Sequence, residues 1–125
     1  MNLLIDSHAL FWWLTDNPRL STAAEAAISD RANTAFVSAC VGYELYYKLR
    51  LGRISPLPGD IARRLQGDGF QIMPISLAHA LAAAGLRGPH RDPWDRIMMA
   101  QALVEGCQMV TADPIFSDYA VPVLW

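Results

Sequence analysis

No feature of this chain narrows its fold more than its short, mostly apolar runs, set between longer stretches with helical periodicity. Residues 2–5, 34–38, 70–73, 108–110 and 121–124 are such runs, each too short for a helix. A strand that is apolar on both faces must be covered on both, which is the situation of parallel strands joined by crossover helices. The expected fold is therefore α/β: three layers, α/β/α, around a short central parallel sheet of four to five strands.

The helical stretches carry their own boundary signals. Ala9, Leu10, Trp13 and Leu14 recur at helical spacing directly after the first run, and Asn17-Pro18 breaks the pattern. Ser21 is placed to cap a second helix reaching about residue 30. A longer helix is expected from residue 40 to 51, stopped by Gly52. Pro56, Pro58 and Gly59 then mark a loop, followed by helices from residue 60 and over residues 76–84. In Asp92-Pro93-Trp94-Asp95 the signals agree: Asp92 as N-cap, Pro93 at the first helical position, and a buried helix running to Glu105 before Gly106.

At 125 residues the chain fits a single domain, residues 1–125, with enough length for a real core. Its hydrophobic content of 53 % is on the rich side, so some apolar surface is expected against another chain. No apolar stretch approaches the length of a membrane span and no basic leader opens the chain, so a soluble, cytoplasmic protein is expected. Cys40 and Cys107 lack partners at ligand spacing and read as small buried residues.

Four acids fall beside apolar segments, where a lone charge is costly. Asp6 ends the run Leu3-Leu4-Ile5, Glu44 lies in a mostly apolar helix, Asp95 opens the apolar stretch 97–104, and Asp113 follows Met109-Val110. Each has an ordinary alternative. Asp6 and Asp113 could cap helices, Asp95 could complement a helix dipole, and Glu44 could pair with Lys48 four residues on. Ligands of parallel sheets bind at the carboxyl ends of the strands, however, and Asp6, Asp95 and Asp113 all map to that edge. Glu44 joins them by sharing a helix face with Cys40, Val41, Tyr47 and Leu51, which is expected to be buried. Carboxylates about 5 Å apart repel by about 3 kcal/mol per pair at an effective dielectric near 20. They must take up protons or a cation, and hard oxygen donors favour Mg²⁺ or Mn²⁺.

Net charge is −2, which argues against a protein that coats nucleic acid by bulk charge, yet without the four acids the remainder carries +2. Nine of the ten basic residues are Arg, the better bidentate partner of phosphate. Lys48, Arg50, Arg53, Arg91 and Arg96 are the candidates to hold a nucleic-acid backbone, a solvated basic face being the alternative. Phosphodiester hydrolysis is the leading class of reaction.

These segments closely resemble the PIN-domain ribonucleases, and in particular the VapC-like toxins of bacterial toxin–antitoxin pairs. The resemblance rests on Leu3-Leu4-Ile5-Asp6-Ser7-His8-Ala9-Leu10, on Val37-Ser38-Ala39 with Glu44, on His90-Arg91-Asp92-Pro93-Trp94-Asp95-Arg96 with Ala100-Gln101-Ala102, and on Val110-Thr111-Ala112-Asp113-Pro114 with Phe116 and Tyr119. Ser stands at position 7 where the family more often has Thr, and the tyrosines around Glu44 replace smaller residues. The resemblance implies an endoribonuclease that is the toxin of such a pair, with Asp6, Glu44, Asp95 and Asp113 as catalytic and metal-holding residues. It also implies a homodimer and a cognate antitoxin, whose C-terminal segment could lie on the aromatic and apolar surface near residues 41–65. Asp95 is preferred to Asp92 as the third acid because its spacing to Ala100 and Ala102 fits the family pattern.

Ser7 and Thr111 either support ligand carboxylates or only shape turns. His8 and His90 are expected as oriented structural histidines, with RNA contact as the alternative. Trp12, Trp13, Tyr46 and Tyr47 are expected to pack in the core or an interface, and base stacking is the alternative. Two rival functions stand beside the nuclease. One is a phosphatase or phosphotransfer domain using Asp6 as nucleophile, although position 8 holds His where a second acid is usual. The other is a non-catalytic PIN-like binding module.

Overall fold

The computed structural model describes residues 1–55, 57 and 59–125; Pro56 and Pro58, expected in a loop, lie outside the described residues. Five strands, β1 (Asn2–Ile5), β2 (Thr34–Ser38), β3 (Gln71–Met73), β4 (Gln108–Val110) and β5 (Val123–Leu124), form one sheet in the order β3-β2-β1-β4-β5. Every pairing is parallel. β1 is central and the most buried strand: Leu3, Leu4 and Ile5 are wholly inside, as a run apolar on both faces requires.

The helices are α1 (Ser7–Leu14), α2 (Thr22–Ser29), α3 (Ala39–Arg50), α4 (Ile61–Gly67), α5 (Leu77–Gly85), α6 (Pro93–Glu105) and α7 (Ile115–Asp118). From β1 the chain steps outward to β2 and β3, then returns across the sheet to β4. Right-handed crossovers then put α1 to α4 on one face and α5 with α6 on the other. The packing of α1 on α3 and of α5 on α6 agrees. The three expected layers are present, and β5 is shorter than the run 121–124 because only Val123 and Leu124 pair with β4.

Caps match the sequence signals closely. Ser21 accepts from Ala24 N–H and Asp92 from the N–H groups of Trp94 and Asp95, while Gly106 ends α6 in the left-handed conformation at φ 66°. At α5 the reciprocal cap is completed by His79, where Glu or Gln is usual. Its Nδ1 accepts from Ser76 N–H, and the opposite ring nitrogen meets Glu105 of α6 at 2.8 Å. One side chain thus begins α5 and ties it to the end of α6.

Candidate active site

A parallel sheet whose chain leaves β1 in both directions has a crevice where the order reverses, here between β1 and β4 at the strands' carboxyl ends. Asp6 leaves β1 at that point and Thr111 leaves β4 beside it. The Asp6 carboxylate is 5 % exposed. One oxygen accepts from Ser7 N–H at 2.7 Å, which makes Asp6 the N-cap of α1, and the other accepts the Thr111 hydroxyl at 2.8 Å. Burial raises its pKa above the usual carboxylate value; the Thr111 and Ser7 bonds pull it back, and Glu44 pushes it up again.

Asp95 is the third residue of α6, and its side chain is about a quarter exposed. Burial raises its pKa as well, the His90 hydrogen bond opposes this, and the charges of Asp92 and Asp6 add to it. Beneath them lies Cys40, buried and free, its thiol pushed up by burial and further by Glu44 and Asp95. Asp6 thus feels the charge of Glu44, and Asp95 that of Asp6. Asp113 is attached more loosely: its N–H donates to Thr111 Oγ1, while its carboxylate is exposed and accepts from Ile115 N–H, capping the short turn.

Among the described residues no three acidic, His or Cys side chains are gathered closely enough to hold an ion as they stand. Three of the four acids are turned to local partners. Glu44 meets Lys48 at 3.1 Å, Asp95 meets His90 Nε2 at 2.8 Å, and Asp113 caps its turn. The donor set nonetheless fits a hard divalent cation. It is all carboxylate oxygen, and two of its members are held above their ordinary pKa by burial together with the charge of another acid.

Two expectations are corrected here. Arg96, expected to hold RNA, has its guanidinium committed to the backbone: it donates to the carbonyls of His90 and Ala83 at 3.0 Å each and to that of Leu86, and it lies over the Tyr119 ring. The helix face of Glu44 is only half buried, for Cys40 and Val41, near the start of α3, are inside whereas Tyr47 and Leu51, at its C-terminal end, stay substantially exposed. Arg50, Arg53 and Arg91 are exposed, and Lys48 is partly covered through its bond to Glu44.

The arrangement that fixes His90 was not legible beforehand. Tyr119 Oη accepts from His90 N–H at 2.9 Å, and a Cβ at Gly88, whose φ is 143°, would collide with the Tyr119 ring. Arg96 grips the same loop from the other side. The signal was a glycine two residues ahead of the motif, but its partner lies in another part of the chain. Trp13 packs edge-on against Phe70 and donates to Asp68; Trp12 lies near Trp125, with His8 against it. These two tryptophans are structural, as expected, whereas Tyr46 and Tyr47 are largely exposed.

A buried acid at the switch point of a small parallel sheet, repelled by two more acids, is the constellation of a carboxylate-based phosphodiesterase. The PIN domain profile matches residues 3–122, and the chain belongs to the PIN-domain family. It is 32 % identical over 114 residues to Ribonuclease VapC22 of Mycobacterium tuberculosis, an alignment covering 89 % of this chain and 86 % of that one. Its fold is that of VapBC2 from Rickettsia felis (TM-score 0.70, 16 % identity, 99 % and 98 % of the two chains). It is also that of VapBC from Salmonella typhimurium (TM-score 0.71, 14 % identity, 99 % and 97 %). Both of those structures are described as bound to DNA.

Proposed function

We propose that this protein is an endoribonuclease that hydrolyses RNA phosphodiester bonds, and that it is the toxin of a toxin–antitoxin pair. The observation that carries the reading is the buried Asp6 carboxylate at the β1–β4 crevice, with Glu44 and Asp95 in electrostatic reach. The relative named as a ribonuclease supports the choice of RNA. Asp6, Glu44, Asp95 and Asp113 would hold Mg²⁺ or Mn²⁺, which when bound supplies a polarised water and neutralises charge developing on the phosphoryl oxygens.

The chain's own residues orient the acids and hold the substrate. Ser7 N–H and the Thr111 hydroxyl fix both oxygens of Asp6, and His90 fixes Asp95 against rotation. Exposed Arg50, Arg53 and Arg91 hold the flanking phosphates.

The antitoxin has a receptive surface. Leu45, Tyr46, Ile61, Leu65, Phe70 and Ile72 line a mainly apolar groove of about 430 Å³ between α3, α4 and the sheet. Leu45, Tyr46, Ile61 and Leu65 fall within residues 41–65, the stretch expected to receive the antitoxin's C-terminal segment, and Phe70 and Ile72 extend it. An apolar helix or strand fits it better than a nucleic acid does.

Asp95→Asn removes one charge and keeps the bond from His90. It should abolish cleavage of single-stranded RNA, by at least about a hundredfold, with an unchanged circular dichroism spectrum. Full activity in that variant would remove the assignment.

A further inference from the structure

Three rings that the site description leaves aside stand in a row beside the acids. Tyr43 and Tyr47 are stacked, with centroids 5.7 Å apart and planes within 9°, and Trp94 meets Tyr43 at 5.3 Å with a tilt of 40°. They remain 54 %, 46 % and 36 % exposed. Single exposed aromatics are ordinary, but three in mutual contact form a surface. The row crosses from α3 to α6, joining the two helices that bear Glu44 and Asp95.

Its place follows from the sequence. Tyr43 directly precedes Glu44 and Trp94 directly precedes Asp95. Each ring thus stands next in the chain to an acid of the site and on the same helix, about 100° around its axis. Arg50 lies on the same side of α3 as Tyr43 and Tyr47, and with Tyr46 they line a shallow depression of about 420 Å³. Rings and a guanidinium beside a phosphodiesterase pocket match the two halves of a nucleotide: base on ring, phosphate on Arg.

We propose that Trp94, Tyr43 and Tyr47 form a platform on which unpaired nucleobases of the RNA stack while the adjoining phosphate lies at the acids. The rings already touch one another, so bases extend the row rather than slip into it. Paired bases present no free face, so the platform selects single-stranded segments and loops. It rests on the ribonuclease reading and adds the part of the substrate recognised. A protein segment is the less suited occupant, because the adjoining groove, which shares Ala39, Gly42 and Tyr46 with this depression, is the more enclosed and more aliphatic of the two, whereas this row is open, edged with hydroxyls and flanked by a cation.

The test uses the full chain carrying Asp95→Asn, so that RNA survives, and two fluorescent probes of equal length and phosphate count, oligo(A) and an abasic strand. The platform predicts at least about tenfold tighter binding of oligo(A), and loss of that margin in Tyr43→Leu and in Trp94→Leu, with abasic binding unchanged. Equal binding of the two probes, or equal loss on both, overturns it. So does unchanged RNA binding in variants that instead fail to bind an antitoxin. Tyr43 is half exposed, so Tyr43→Leu serves even where Trp94→Leu misfolds. If the chain with Asp95 restored cleaves RNA while oligo(A) shows no margin, only the platform falls; if that chain neither binds nor cuts RNA, the ribonuclease reading falls with it.

Discussion

Asp6 ends β1, caps α1 and accepts the Thr111 hydroxyl, so its charge cannot swing away from the crevice as the charges of Glu44 and Asp113 can. Its raised pKa has a definite consequence for stability. A carboxyl whose pKa is higher folded than unfolded contributes stability that is fully present below the unfolded value, near 3.8, and lost as pH rises through the folded one. At neutral pH an ionised Asp6 is therefore a cost. Asp6→Asn should raise Tm by a few degrees at pH 7 in chelator and lose that advantage toward pH 3.5, measured by thermal denaturation at a series of pH values. Millimolar Mn²⁺ should raise the Tm of the parent chain and much less that of Asp6→Asn. Equal shifts in the two chains would separate the metal from this carboxylate.

Along the elements, most boundaries were readable because they depend on neighbours in sequence. Asp92, Pro93 and Gly106 delimit α6 by local hydrogen bonding and backbone preference, and the structure uses them so. Asp92 Oδ1 takes two N–H donors, one of them from Asp95. Asp92→Ala should accordingly cost about 1 kcal/mol by chemical denaturation, whereas Asp92→Asn, which keeps the cap, should cost only a few tenths. RNA cleavage should survive Asp92→Asn, in contrast to Asp95→Asn; equal inactivation would reopen the choice between the two acids. What the sequence could not disclose were contacts between distant segments. Nothing near His90 announces that Tyr119 supports it, and nothing near Arg96 announces that three carbonyls will consume its donors. The exposure of Tyr47 and Leu51 was hidden for the same reason: helix periodicity gives a face, but only tertiary packing decides how far along the helix that face is covered.

For the whole molecule, the layer order was legible from strands apolar on both faces, and the chain's unpartnered surface is the part that remains to be filled. Leu77 and Leu81 of α5 are 74 % and 65 % exposed, and Ile75, just ahead of them in the chain, is exposed too. Exposed apolar side chains grouped in this way suit a protein partner. We propose that the homodimer implied by the family resemblance uses this face, a second copy meeting it through a two-fold axis. Leu81→Glu should then shift sedimentation from a dimer to a monomer without changing the circular dichroism spectrum. A parent chain that sediments as a monomer at all concentrations would exclude this use of the face.

The bond from Thr111 to Asp6 joins residues 105 positions apart, and β1 finds its β4 neighbour only when residues 108–110 are present. A growing chain on the ribosome therefore carries Asp6 about a hundred residues before the segment that closes the crevice beside it has been made. A protein proposed to cut RNA thus completes late the place where it acts, and any fragment that stops short of residue 108 lacks the finished pocket.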